Sequence, residues 1–264
     1  MENIQWPLAL FTLFTAMGGC LFLFVAVNEF TKKSKTSGFV PGIVAGVIAI
    51  IGGFCSVLHL AHVDRIMNAL SHPTSGIFVE AVLVGCLVAC IFVYLICLKR
   101  EIQVGVKAFA ALGGFFGIAL SFMAGHSYVM DAIAAWNTQL LPLGYLLTAL
   151  PMGAALYWAI ACKDEVSGGF MARCTLASGV LGLVGAVAYI VAVGAFTGDA
   201  LPLSVGAIVL AGVAPIVIGA IGVKKPGVAL AWTAFACSTV GACMYRLLMW
   251  VMYASVYGFF GASF

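Results

Sequence analysis

Residues 77–98 read IFVEAVLVGCLVACIFVYLICL, a run of 22 residues with one carboxylate, Glu80, and no lysine, arginine or histidine. Because about 20 apolar residues are enough for a helix to cross the hydrocarbon core of a bilayer, this stretch is predicted to span a membrane. The whole chain has the same character, since 64% of its 264 residues are hydrophobic and only 8% are charged. Soluble domains carry about 25% charged residues. The composition therefore indicates an integral membrane protein and leaves little chain for a soluble catalytic domain.

Similar apolar runs, separated by short polar breaks, occur on both sides of this stretch. We predict eight spans, at residues 6–28, 39–61, 77–98, 108–130, 141–162, 174–196, 202–223 and 228–253. The breaks combine charged residues with the turn-forming residues glycine and proline. None is long enough for a folded domain. The expected fold is an all-α integral membrane protein, with residues 1–264 as a single anchor domain made of eight transmembrane helices.

The basic residues are distributed unevenly between the predicted loops. Ten of the twelve lie in or beside the first, third, fifth and seventh loops: Lys32, Lys33, Lys35, Lys99, Arg100, Lys107, Lys163, Arg173, Lys224 and Lys225. Short loops rich in lysine and arginine stay in the cytoplasm during insertion. We therefore expect both termini on the outer, periplasmic or extracellular, side. The scattered positive charges form no patch that would indicate nucleic-acid binding.

The nine cysteines contain no C-x-x-C pair, although iron–sulfur and zinc sites need clustered thiolates. Cys86, Cys90 and Cys97 share one face of the third span, which is typical of small polarizable residues at a helix interface. A b-type haem would need two histidines facing each other, and His59 and His126 are the two with suitable positions. We expect no haem, iron–sulfur cluster or other metal in this chain.

Few ionisable side chains lie within the predicted spans, where each costs roughly 2.5–3.5 kcal/mol at a helix centre and is a functional candidate by default. His59 ends the second span, Glu80 lies one turn into the third, and Arg246 lies late in the eighth. His126 and Tyr128 end the fourth span. With the expected orientation, these five residues lie at a similar depth near the outer surface.

This group of residues offers what a redox quinol needs, namely a hydrogen-bond partner for each ring oxygen and an acceptor for the released proton. Each residue also has a purely structural explanation. His59 could cap a helix end, Arg246 could extend to lipid phosphates, and Glu80 could pair with Arg65 or Arg246. The occurrence of an acid, an imidazole and a guanidinium at one depth favours the quinol site.

Several short segments match a known family. The strongest is Ser56-Val57-Leu58-His59-Leu60, followed by Arg65, Asn68-Ala69-Leu70 and Glu80. Others are Trp6-Pro7-Leu8, Leu10-Phe11-Thr12, Trp136-Asn137-Thr138, Pro142-Leu143 and Tyr245-Arg246. Through these segments the protein resembles, over its whole length and at low identity, the membrane anchor subunits of bacterial dimethyl sulfoxide (DMSO) reductases. These are eight-span proteins that oxidise menaquinol for a molybdopterin enzyme.

The sequence departs from the family pattern at several positions near these matches. Ala61 and Val63 replace the family's glycine and proline, and Ala242 replaces a glutamate one turn before the final arginine. His126 replaces an arginine two residues before Tyr128. These changes leave the interpretation as a quinol site intact and leave the terminal electron acceptor open.

The resemblance implies that menaquinol, as substrate, binds at His59, Glu80 and Arg246. Supporting positions are Arg65, His126, Tyr128, Trp136 and Asn137. It also implies a complex with a four-cluster, ferredoxin-like iron–sulfur subunit and a molybdopterin catalytic subunit, in a bacterial cytoplasmic membrane. The protein would then be a quinol-oxidising anchor for anaerobic respiration, without catalytic activity on its own, and electrons and protons would leave on the outer side.

Two other functional classes fit the same spans. An anchor of a related polysulfide, nitrite or tetrathionate reductase would share the quinol chemistry. A transporter or channel would instead place polar groups near the bilayer midplane, where this sequence has few.

Overall fold

The computed structural model of the protein describes residues 4–57, 74–161 and 165–253. Within these ranges it contains eight helices that are long and apolar enough to cross a membrane, and no strand. They are α1 (Trp6–Thr31), α2 (Phe39–Val57), α3 (Gly76–Lys99), α4 (Gln103–His126), α5 (Leu140–Ala161), α6 (Glu165–Val193), α7 (Ala200–Lys224) and α8 (Val228–Val251). The prediction of an all-helical membrane protein with eight spans is confirmed.

Two helices begin five or more residues earlier than the predicted spans. α4 begins at Gln103 rather than at residue 108, so that Lys107 lies within the helix and is exposed. A lysine near a helix end can extend its charge to water along its apolar stem. α6 begins at Glu165 rather than at residue 174, because Gly168 and Gly169 are helical and do not form part of a loop.

α1 lies at the centre of the bundle, and most of its residues are buried against α2, α4 and α5. The approach to α4 is close, because a Cβ atom added at Gly19 would lie 2.8 Å from the Cα atom of Gly117. A Cβ atom at Gly18 would lie 2.7 Å from the carbonyl oxygen of Ala45 in α2. Packing through small residues, as expected for helices in lipid, therefore holds α1 in place.

α7 contains one turn of π-helix, Val209–Val213, shortly before Pro215. Proline lacks an N–H donor, and its ring clashes with the carbonyl group of the preceding turn. A wider turn relieves this clash without ending the span. The seventh span thus crosses as one helix with a local irregularity next to Pro215.

Eight consecutive spans place the start of α1 and the end of α8 at the same end of the bundle, here called the termini end. The last residues of α1, α3, α5 and α7 lie at the opposite end, here called the basic end. Lys32, Lys99, Arg100, Lys224 and Lys225 lie at the basic end, and Lys163 lies outside the described residues. Among the described residues, the basic side chains of the loops are therefore separated from the termini, and Arg246 is at the termini end.

Candidate functional site

Arg246 lies near the end of α8 and is fully buried. Its Nη1 atom donates to the carbonyl oxygen of Ala242 at 2.9 Å, and its Nη2 atom donates to the carbonyl oxygen of Thr12 in α1 at 3.3 Å. The guanidinium carbon lies 4.8 Å from the centroid of the Tyr145 ring, within the range of a cation–π interaction. The alternative that Arg246 extends to lipid phosphates is therefore wrong, because the side chain is enclosed by α1, α5 and α8.

Tyr145, one turn into α5, lies between Arg246 and Tyr128. Its ring centroid is 6.3 Å from that of Tyr128, and its hydroxyl group donates to the sulfur of Met249 at 3.4 Å. Burial raises the pKa of the Tyr128 phenol well above its usual range; Tyr145 and Glu80 raise it further, and Arg246 opposes them. Tyr128 therefore stays uncharged at neutral pH, with a proton to donate.

Glu80 lies one turn into α3. The Ser75 side chain caps this helix, because its Oγ atom accepts a hydrogen bond from the Phe78 backbone N–H at 3.2 Å. Glu80 is only 9% exposed, and its carboxyl group lies near the Ser127 side chain, whose hydroxyl group donates to the Met123 carbonyl oxygen at 3.0 Å. No ion pair joins Glu80 to Arg246 within the described part of the protein. Both residues act electrostatically on Tyr128 and Tyr145, so both charged groups lie near the same two phenols.

Glu80, Tyr128, Tyr145 and Arg246 thus form one continuous group, here called the termini-end cluster. It contains an acid, a cation and two phenols, contributed by α3, the connection after α4, α5 and α8. Such a set can exchange protons and hydrogen bonds with the oxygen atoms of an aromatic molecule bound beside it.

The connection between α4 and α5, residues 127–139, folds over this cluster. Trp136 Nε1 donates to the carbonyl oxygen of Met249 at 2.8 Å, and the hydroxyl group of Tyr189 donates to the carbonyl oxygen of Ala135 at 3.1 Å. The Trp136 ring packs nearly perpendicular to the Tyr128 and Trp250 rings, at centroid distances of 5.8 and 5.4 Å. Tyr128 and Trp136, both predicted as supporting residues, therefore lie at the cluster.

The other predicted site residues are placed differently. His126 is half-buried and stacks on Phe122, with ring centroids 6.0 Å apart. Asn137 is exposed and does not join the cluster. His59 and Arg65 lie outside the described residues, so their roles stay predictions.

Sequence reasoning missed Tyr145 and Trp250. Trp250 follows Arg246 by four residues, and this spacing places the two side chains on one helix face, which is a signal that could have identified it. Tyr145 gave no such signal, because an aromatic residue in an apolar span is usually part of the packing.

A second buried acid at the basic end was also missed. Glu29 is 3% exposed, accepts a hydrogen bond from the Tyr94 hydroxyl group at 2.8 Å and pairs with Lys32. Its neighbour Asn28 accepts from the Ser34 backbone N–H at 2.8 Å. These contacts fix the loop after α1. In the sequence Glu29 stands beside a lysine-rich loop, where a solvated charge is the usual interpretation.

The positions of the cysteines are consistent with the predicted role in packing between helices. Cys90 and Cys97 of α3 are buried, and the cysteines within the described ranges are free. Among the described side chains, no group of three or more His, Cys, Asp or Glu residues is arranged to hold a metal ion.

Comparison with protein families gives a match to the DMSO reductase anchor subunit (DmsC) over residues 1–211. The protein belongs to the DMSO reductase anchor subunit family. The predicted resemblance is therefore confirmed over most of the sequence. The region of this anchor-family protein that matches includes Glu80, Tyr128 and Tyr145, whereas Arg246 and Trp250 on α8 lie beyond it.

Among curated proteins, this member of the anchor family is similar to a subunit of the anaerobic dimethyl sulfoxide reductase of Haemophilus influenzae. The two sequences are 26% identical over 169 residues, which are 61% of the present sequence. The aligned region spans 60% of the length of the Haemophilus protein. The family match and the eight helices together identify a multi-pass membrane protein of the reductase-anchor type.

Proposed function

We propose that this protein is the membrane anchor of a DMSO-reductase-type complex and that it oxidises menaquinol at the termini-end cluster. Family membership supports the anchor role. The quinol chemistry is supported by one observation above all, the burial of an acid and a cation that both act electrostatically on the same pair of tyrosines. Buried ionisable groups in a membrane protein are costly and are retained where they act on a substrate or proton.

In the proposed reaction menaquinol enters laterally between helices and places its ring beside the aromatic side chains Tyr128 and Trp136. His59 forms a hydrogen bond to one ring oxygen, and Glu80 accepts a proton from the quinol. Arg246 is buried, so it acts within the site rather than on the surface of a partner. Arg65 is then the better candidate for contact with a partner subunit.

The proposed partners are an iron–sulfur subunit of the four-cluster, ferredoxin-like type and a molybdopterin catalytic subunit. The iron–sulfur subunit would dock at the termini end, next to the site, since electron transfer requires its nearest cluster to be close to the quinol. The membrane would be the bacterial cytoplasmic membrane, with the termini end facing outward. This orientation rests on the lysine and arginine distribution.

The test is made on the purified complex with Glu80→Gln and His59→Arg. Each variant is expected to lose quinol oxidation and to retain reductase activity with an artificial electron donor, because the partner subunits are untouched. Glu101→Gln is the matched control, since Glu101 is an exposed acid at the basic end. Unchanged quinol turnover in Glu80→Gln would exclude Glu80 as the proton acceptor.

A further inference from the structure

We propose that Arg246 and Trp250 of α8 supply a pair of N–H donors that binds one ring oxygen of the quinol in its deprotonated, anionic form. This inference rests on the proposed function and adds to it the charge of the quinol that the site binds most tightly. It also assigns a role to Trp250, which lies outside the region of the family match.

The first observation is that both residues carry an unused donor. Arg246 Nε and Trp250 Nε1 are buried and have no hydrogen-bond partner among the described residues. Arg246 is 0% exposed and Trp250 is 7% exposed. Buried donors are nearly always paired. In the described structure α8 has four buried polar side chains without a partner, Ser238, Thr239, Arg246 and Trp250. Arg246 and Trp250 are the two that pack against the tyrosines of the termini-end cluster, and there they indicate a partner beyond the described residues.

The second observation is that the two donors belong to one side of the site. Residues four apart on a helix are neighbours on its surface. Arg246 lies over the Tyr145 ring, Tyr145 faces Tyr128, and Tyr128 packs against Trp250 at a centroid distance of 5.7 Å. Arg246 and Trp250 therefore lie on one face of α8, and each packs against one of two neighbouring tyrosine rings.

The third observation is the charge of Arg246. Its hydrogen-bond acceptors in the protein are two uncharged carbonyl oxygens, those of Ala242 and Thr12. The titratable groups around it are thiols and phenols from α1, the connection after α4, α5 and α8: Cys20, Tyr128, Tyr145, Cys243 and Tyr245. Glu80 of α3 acts on the same tyrosines without forming an ion pair with Arg246. Among the described residues Arg246 is therefore a buried cation without a paired anion, and such a cation favours an anionic ligand.

The chemistry of quinol oxidation supplies such an anion. A neutral quinol releases its first proton, to Glu80 in the proposed reaction, and leaves a quinol anion whose negative charge lies on one ring oxygen. That oxygen would accept from Arg246 Nε and Trp250 Nε1. Two electrons then pass to the iron–sulfur clusters of the partner subunit, and the second proton leaves. The product is an uncharged quinone, which the donor pair holds less tightly.

The test uses two probes of similar size in the purified complex. 2-Hydroxy-1,4-naphthoquinone is an anion at neutral pH, whereas 2-methyl-1,4-naphthoquinone is uncharged. Isothermal titration calorimetry is expected to show that the unmodified complex binds the anion more tightly. Arg246→Gln and Trp250→Phe should each weaken binding of the anion by about ten-fold or more, because a charge-assisted hydrogen bond is lost. Binding of the uncharged probe should change by about three-fold or less.

Two matched controls are available. Trp232→Phe changes a tryptophan of the same helix that is 48% exposed and far from the site, and Arg100→Gln changes an exposed arginine at the basic end. Neither should alter binding of either probe. If Arg246→Gln prevents assembly, Trp250→Phe decides the matter, because the Trp250 indole N–H has no protein partner in the described structure.

The outcomes are distinct. Unchanged affinity for the anion in Trp250→Phe would overturn the inference, and so would an equal loss for both probes, since the pair would then not select charge. If neither probe binds the unmodified complex at all, the proposed quinol site itself fails, and the inference fails with it.

Discussion

The Tyr94 hydroxyl group donates a hydrogen bond to Glu29 Oε1 at 2.8 Å and joins the last turns of α1 and α3 at the basic end. Tyr94 also packs edge-on against Phe22 of α1, with ring centroids 5.3 Å apart. The centre of the bundle is therefore tied to α3 by a polar contact and an aromatic contact that are far from the termini-end cluster.

Removal of the Tyr94 hydroxyl group should destabilise the bundle without changing the site. In Tyr94→Phe a buried carboxylate loses one donor, and we expect the free energy of unfolding to fall by about 1–3 kcal/mol. The measurement is unfolding of the purified protein in detergent. Tyr253→Phe is the control, because Tyr253 is 41% exposed. Equal stability of the two variants would mean that the Tyr94–Glu29 contact contributes nothing.

The crossing of α1 and α4 should be sensitive to a single methyl group. In Gly117→Ala the added Cβ would overlap the carbonyl group of Gly19, and we expect a loss of about 1–3 kcal/mol in stability, or failure to assemble. Gly85→Ala is the matched control, since a Cβ at Gly85 meets nothing within 4 Å. That change should be neutral or should stabilise the helix by up to about 1 kcal/mol.

Replacement of Trp136 by phenylalanine should destabilise the protein much more than replacement of Trp250. Trp136→Phe removes the donor to the Met249 carbonyl group, so the free energy of unfolding should fall by about 1–3 kcal/mol. Trp250→Phe removes no hydrogen bond between described residues and should be far less destabilising. Thermal unfolding of the two variants in one detergent compares them directly. A larger effect for Trp250→Phe would show that its role is packing.

The orientation can be tested with two fusions. Alkaline phosphatase fused after Phe264 should be active, because the enzyme requires the oxidising exterior and the termini end is expected to face outward. The same enzyme fused in the loop after α7, at Lys225, should be inactive. The reverse pattern of activity would show that the bundle has the opposite orientation. The proposed docking side of the partner subunits would then face the cytoplasm.

The sequence predicted which residues lie at the same depth, and Glu80, Tyr128 and Arg246 do lie together at one end of the bundle. Successive spans cross the membrane in opposite directions. The position of a residue within its apolar run therefore gives its distance from the termini end of the bundle. Trp136, which lies in the residues that precede α5, was instead named through the family resemblance. The role of these residues toward a quinol stays a prediction.

The sequence could not predict the direction in which each side chain points. The eight spans are apolar on nearly every side, so no polar face indicates which residues meet the protein and which meet lipid. Arg246 could equally have extended outward, and Glu29 could have been solvated with its lysine neighbours. Their burial depends on contacts with α1 and α3 that only the assembled bundle provides. Asn137 illustrates the same limit, since it lies at the expected depth while its side chain is exposed.

The Arg246–Thr12 contact joins residues that are 234 positions apart. During synthesis α1 enters the membrane first and α8 last, so the nascent protein has no guanidinium against Thr12 until almost all of it has been translated. The site and the closure of the bundle are therefore completed in the same step of biogenesis. An unfinished protein that already spans the bilayer several times would bury most of α1 against α2, α4 and α5 but would lack this arginine, which donates to the Thr12 carbonyl oxygen.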